Sequence, residues 1–218
     1  MKPLERCRLY TFVDMAYLHG RKAVEVARQL CSGGADVIQL RAKEAEKEVV
    51  RKMGADLLAV TSGAGVWLVI NDYPDVALEI GAPASHLGQE DFFDAGFTRV
   101  SALKDTPGSL RIGLSTHSPE QAHRALASGP DYVAIGPVFA TATKPTAKPV
   151  TLDYVRWAAA HVHIPWFAIG GITLDNLDEV LAAGARRICV VSAILNAKDI
   201  AVACAKFKER LTSVPLQQ

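Results

Sequence analysis

Eight short runs of apolar, largely β-branched residues recur along the chain, each followed by a segment with apolar residues at helical spacing, and this alternation leaves few folds open. The runs are RLYTFVD (8–14), DVIQLRA (36–42), VWLVIND (66–72), ASHLGQ (84–89), RIGLST (111–116), YVAIGPV (132–138), PWFAIGG (165–171) and ICVVSAI (188–194). Consecutive apolar positions suit strands covered on both faces, and strand-helix alternation calls for right-handed crossovers between parallel neighbours. Helices are expected in GRKAVEVARQLCSGG, AEKEVVRKMGADLLAV, SPEQAHRALASG, TLDNLDEVLAAG and KDIAVACAKFKERL. Ser118-Pro119 offers an N-cap followed by proline at the first helical position, and Gly33, Gly129 and Gly184 stand where a glycine would stop a helix. Eight units in 218 residues average about 27 each, near the ~30 of a compact βα repeat. An α/β chain closed into a (β/α)8 TIM barrel is therefore expected, with a doubly wound open sheet as the alternative. The third unit has room for only about two helical turns, in DYPDVALEIGAP.

No linker or low-complexity tract divides the chain, so residues 1–218 are assigned to a single domain with a frayed tail at TSVPLQQ. Lys and Arg number 24 against 23 Asp and Glu, so no global field draws the protein to nucleic acid or to a membrane, and any polyanion must be met locally. Cys7, Cys31, Cys189 and Cys204 form no CxxC pair, which fits reduced thiols in a cytoplasmic setting. No apolar run approaches the ~20 residues of a spanning helix, and no signal-peptide pattern follows the first residues. Oligomeric state is not encoded in these patterns, and a homo-oligomer stays open.

In a barrel of this kind the chemistry belongs at the C-terminal ends of the strands. Those ends read Gln39-Leu40-Arg41-Ala42-Lys43, Asn71-Asp72, His86 to Asp91, Ser115-Thr116-His117, Gly136 to Lys144, Gly170-Gly171-Ile172-Thr173 and Val191-Ser192-Ala193. Alone, Asp72 or Asp91 reads first as a helix cap. On adjacent strand ends, the two suit a shared hard cation such as Mg²⁺, which takes one or two carboxylates and completes its shell with water and phosphate oxygens. General acid-base work by the pair is the competing reading. Arg41 and Lys43 alternate with apolar neighbours and so point the same way; with Lys144 they form a cation cluster suited to a pyrophosphate. Gly170 and Gly171 let backbone N–H groups approach a second anion. The segment GPVFATATKPTAKPVT is longer than a βα loop needs and is expected to act as a lid carrying Thr141, Thr143 and Lys144, a rigid structural loop being the even alternative.

Together QLRAK, INDYPDVAL, HLGQED, GLSTHS, DYVAIGPVFATATK, IPWFAIGGIT and VVSAI resemble the thiamine-phosphate synthase family, in order and spacing, from the first strand to the eighth. The resemblance implies a (β/α)8 transferase that joins 4-amino-5-hydroxymethyl-2-methylpyrimidine diphosphate to 4-methyl-5-(2-hydroxyethyl)thiazole phosphate and releases pyrophosphate. It places pyrimidine-diphosphate contacts on Gln39, Leu40, Arg41, Ala42, Lys43, Asn71, Ser115 and Lys144, and thiazole-phosphate contacts on Thr141, Thr143, Gly171, Val191 and Ser192. Asp72 and Asp91 fall on the Mg²⁺ ligands. Arg41, Lys43, Ser115 and Lys144 are the expected catalytic set, stabilising the departing diphosphate while the thiazole nitrogen attacks with a lone pair that needs no deprotonation.

Some positions depart from the family pattern. Tyr73-Pro74 stands where an arginine is usual, Ala84-Ser85 replaces a GV-like pair, Lys148 to Thr151 lack a common glycine, and Arg186-Arg187 replaces Asp-Gly before the eighth strand. The arginine pair lies at the end away from the chemistry and is expected to change only surface charge. A thiazole tautomerase shares the barrel and the thiazole phosphate site, but Asp72, Asp91 and Lys144 argue against it; a non-catalytic sensor of phosphorylated ligands is the reading from another class.

Overall fold

The computed structural model describes residues 1–104, 109–141 and 149–216. Eight parallel strands pair in chain order and close, β1 with β8, into a barrel: β1 (Leu9–Asp14), β2 (Val37–Arg41), β3 (Trp67–Asn71), β4 (Ala84–Gly88), β5 (Arg111–Thr116), β6 (Tyr132–Ile135), β7 (Trp166–Ile169) and β8 (Ile188–Cys189). The open-sheet alternative is thereby excluded. Every strand expected from the apolar runs is present, but several are shorter. β6 stops at Ile135 because Pro137 has no N–H to give a ladder, and β8 is cut to two residues because the chain turns into a helix at Ser192.

Helices α1 (Ala23–Ser32), α2 (Lys47–Gly63), α3 (Pro74–Ile80), α4 (Gln89–Asp94), α5 (Pro119–Ala127), α6 (Thr151–His161), α7 (Leu177–Ala182), α8 (Ser192–Leu195) and α9 (Ile200–Thr212) surround the barrel. None among the described residues is long and apolar enough to cross a membrane. Ser118 caps α5 by accepting from Gln121 N, with Pro119 at the first position, as the sequence predicts. α7 begins later than its apolar pattern suggests, because Asn176 holds the preceding turn: its Oδ1 accepts from Thr173 N and its Nδ2 donates to the Gly171 carbonyl. At the end of α1 the left-handed residue is Gly34, not Gly33. Gly33 is needed for packing instead, since a Cβ there would stand 2.6 Å from both Ala201 O and Cys204 Cβ of α9.

The barrel interior is filled from below by an aromatic group. The ring of Tyr10 packs edge-on to Phe167 at 5.3 Å and stacks on Phe12 at 5.4 Å, and Tyr132 tilts against Tyr10 at 6.1 Å. Tyr132 fits only because its register partner is Gly113, where a Cβ would come 2.1 Å from the ring. The phenols are not orphaned: Gln39 Nε2 donates to Tyr10 Oη (2.7 Å), Tyr10 and Tyr132 share a hydrogen bond of 3.1 Å, and His86 Nδ1 lies 3.2 Å from Tyr132 Oη. This hydrogen-bonded layer is a floor, and the cavity above it opens at the C-terminal ends of the strands.

Candidate active site

A single cavity at that rim is lined by Gln39, Arg41, Lys43, Asn71, Asp72, Asp91, Ser115, Thr141, Gly171, Val191 and Ser192. These residues come from seven strand ends and the loops beyond them. Two residues carried over with the QLRAK motif do not join them. Leu40 is fully buried, its Cδ2 directed at Gly54 of α2, and Ala42 is buried in the core cluster. Strand alternation requires this: with Gln39 and Arg41 facing inward, Leu40 faces the helices, so only its backbone remains near the site. Thr143 and Lys144 lie outside the described residues, as does the middle of the expected lid, 142–148. Tyr73 packs partly buried against the core and does not line the cavity.

Neither carboxylate is a helix cap. α3 starts behind Tyr73 and α4 behind Gly88, and neither junction carries a side-chain cap bond. Asp72 instead sits at φ +65°, a left-handed conformation that costs energy for a non-glycine residue. Its N–H bonds the His86 carbonyl at 2.9 Å and Asn71 Nδ2 donates to its Oδ2 at 2.6 Å, so the strained turn is held from two sides and the carboxylate is aimed into the cavity. Burial raises the Asp72 carboxyl above its ordinary range; Lys43, with Nζ 3.9 Å away, opposes this and the facing charge of Asp91 reinforces it. Asp91 reaches the same space over Gly88, where a Cβ would stand 2.7 Å from Asp91 Oδ2.

Two like charges brought together over a cradle that a methyl group would fill suit a hard, oxygen-ligated cation. Among the described residues no third His, Cys, Asp or Glu joins them, which argues against a closed protein cage and fits Mg²⁺, whose remaining positions go to water and substrate oxygens.

Opposite the carboxylates stands Arg41, and its charge is balanced by a residue that the sequence reading passed over. Asp14, at the end of β1 and 1% exposed, is the register partner of Arg41, and its Oδ2 accepts from Arg41 Nη1 at 2.8 Å. Its place at the end of the first apolar run is visible in the sequence, but its pairing with Arg41 follows only from the β1–β2 register. On the far side, Gly170 and Gly171 have φ +107° and +63°, and a Cβ at either would strike the β6 loop, at 2.4 Å from Pro137 Cα and 2.6 Å from Ala140 O. Loop and turn are knitted by Val138 N to Ile169 O (2.8 Å) and Phe139 N to Gly170 O (3.0 Å). His117 also lines the cavity, held by Nδ1 against the Gly136 carbonyl, and His86 lies on its floor.

A family model for thiamine monophosphate synthase matches residues 9–194. The chain belongs to the thiamine monophosphate synthase family. It is 48% identical over 184 residues to the thiamine-phosphate synthase of Thermus thermophilus, covering 84% of this chain and 86% of that one. Its likeness to the thiamine-phosphate synthase of Methanoregula boonei is 41% over 214 residues, with 97% and 96% covered. Among solved structures, thiamine phosphate pyrophosphorylase from Pyrococcus furiosus superposes with a TM-score of 0.84 at 32% identity, covering 96% of this chain and 98% of that one. The matched span holds all the rim residues named above, including Asp14, from the first strand to Ser192.

Proposed function

We propose that this protein makes thiamine phosphate in the cytoplasm, joining 4-amino-5-hydroxymethyl-2-methylpyrimidine diphosphate to 4-methyl-5-(2-hydroxyethyl)thiazole phosphate with release of pyrophosphate. The observation that carries the reading is the division of one rim into two anion-compatible sides, Arg41 and Lys43 facing Asp72 and Asp91 on one and the Gly170-Gly171 turn with Val191 and Ser192 on the other. Two phosphorylated substrates need such a pair of sides, and a single small ligand does not.

In the reaction the bond between the pyrimidine methylene carbon and the diphosphate oxygen breaks, its electrons leaving with pyrophosphate, and a bond from that carbon to the thiazole nitrogen forms. Asp72 and Asp91 would hold Mg²⁺, which when bound supplies positive charge to the diphosphate oxygens. Arg41 offers a planar fork and Lys43 a point charge where negative charge accumulates, with Lys144 as the third cation and Ser115 as a hydroxyl donor to the diphosphate. Gln39, anchored through Tyr10, presents an amide complementary to an aminopyrimidine edge. The nitrogen nucleophile arrives with a free lone pair, so no general base is required, and positioning of the two rings above the aromatic floor supplies the rest.

Incubating the full chain with both substrates and Mg²⁺ should yield thiamine phosphate and pyrophosphate in equal amounts, followed chromatographically. Binding of both substrates without either product would refute the assignment. Gly88→Ala tests the cation side. Gly88 has φ −62°, so alanine strains nothing in the backbone, but its methyl must push the Asp91 carboxylate aside. Stability should change little, while the Mg²⁺ concentration for half-maximal rate should rise about tenfold, as when a supporting contact of a metal ligand is lost.

A further inference from the structure

At the opposite end of the barrel, where the strands begin, lies a cleft of about 860 Å³ lined in part by Lys2, Arg6, Arg186, Arg187, His163 and Glu5. The charge here is one-sided. Lys2, Arg6, Arg8, Arg186, Arg187 and Lys208 gather around Asp36 and Glu5, in a chain whose formal net charge is only +1. Asp36 is already engaged: Lys2 and Lys208 both bridge to it, and it accepts from Arg8 N (2.7 Å) and Leu9 N (3.0 Å). Among the described residues none of the four arginines forms a salt bridge. Arg8 bonds the Leu211 and Val214 carbonyls, Arg186 those of Leu181 (2.9 Å) and Ala185 (2.8 Å), and Arg187 that of Glu5.

These guanidiniums also repel one another. Burial lowers the pKa of both Arg187 and Arg8; the charge of Arg8 lowers that of Arg187 further, whereas at Arg8 the pull of Asp36 is larger than the repulsion of Arg186. The Nε atoms of Arg186 and Arg187 are buried without a hydrogen-bond partner, which is uncommon for a charged donor and expensive unless a nearby anion compensates. Far from changing only surface charge, the Arg186-Arg187 pair is half-buried in a concave cationic site.

We propose that this cleft is a second anion site, distinct from the catalytic rim, that takes a small multivalent oxyanion of the phosphate class. Concavity favours a small ligand over a flat macromolecular partner, and several cations drawn from both ends of the chain are better matched by a multiply charged oxyanion than by one carboxylate. Its occupant would tie the N-terminal segment, through Lys2 and Arg6, to the lead-in of β8.

Calorimetric titration of the full chain with sodium pyrophosphate, without magnesium, tests this. Two binding events are expected, one removed by Lys43→Ala at the rim and the other by Arg187→Gln. In the Lys43→Ala background pyrophosphate should still raise the thermal midpoint, and Arg187→Gln should abolish that rise. Arg6→Gln, on the exposed rim of the cleft and making none of the carbonyl contacts above, should weaken the second event at least about tenfold, the scale of one charge-assisted hydrogen bond. Thiamine phosphate formation should be unchanged in Arg187→Gln. Titration and midpoint curves insensitive to both Arg187→Gln and Arg6→Gln would overturn the proposal.

Discussion

Asp72→Asn should lower turnover by at least about a thousandfold while leaving the fold as stable as the parent or more so at neutral pH. Asparagine is the informative replacement because it tolerates the left-handed backbone at φ +65° and can still accept from Asn71 Nδ2, so the variant changes charge and little else. Alanine at the same position would add backbone strain of about 1 kcal/mol and blur the comparison. The stability half of the prediction follows from the raised carboxyl, pushed up first by burial. A carboxyl whose folded pKa lies above its unfolded value favours the native state fully below the unfolded pKa and loses that contribution as pH rises through the folded one. At pH 7 the ionised Asp72 is therefore a burden that asparagine lifts, and urea midpoints of the two proteins should converge as pH falls into the carboxylate range. An Asp72→Asn protein with near-parental rate and an unaltered response to Mg²⁺ would remove Asp72 from the metal site. A stable but inactive variant would mark this residue as one kept for chemistry at the expense of stability.

Why this much could be read before any coordinates, and no more, is a matter of which interactions are local. The strands declared themselves because a parallel barrel buries both faces, which turns each into a continuous apolar run such as VWLVI, and glycine-bounded helices punctuated the rest. The side-chain alternation at Gln39, Arg41 and Lys43 was equally local, and it already implied that Leu40 faces the helices, which leaves its backbone for any contact with substrate. Asp14 could not be weighed from its own neighbourhood. A carboxylate at the end of β1 acquires its meaning only when the β1–β2 register sets it beside Arg41, a contact 27 residues away in sequence. Gly88 and Gly113 are similar cases, since each matters for an absent Cβ opposite a particular side chain. The Arg186-Arg187 pair was visible as a departure, yet its burial beside Arg8 depends on β1 and β8 meeting as the barrel closes.

Asp14→Ala is expected to be the most destabilising change at the rim, by about 3 kcal/mol, and to reduce turnover about a hundredfold at the same time. The Asp14 side chain is 2% exposed and that of Arg41 20%, so removing the carboxylate leaves a mostly desolvated guanidinium without its counter-charge. A smaller loss comes from the Oδ1 acceptor that holds Ala16 N at 3.0 Å in the turn after β1. Destabilisation alone would be explained by any buried ion pair, so the functional claim needs a separate readout. The contact uses Nη1 of Arg41, orienting the plane of a guanidinium that also lines the cavity. If that orientation serves the diphosphate, Asp14→Ala should raise KM for the pyrimidine diphosphate and lower kcat, with KM for the thiazole phosphate unmoved. Replacing both partners, as Asp14→Leu with Arg41→Met, removes the uncompensated charge and should restore much of the lost stability without restoring turnover. Recovery of both in the double variant would reduce Asp14 and Arg41 to a structural pair, whereas recovery of stability alone assigns Arg41 to the diphosphate and Asp14 to holding it there.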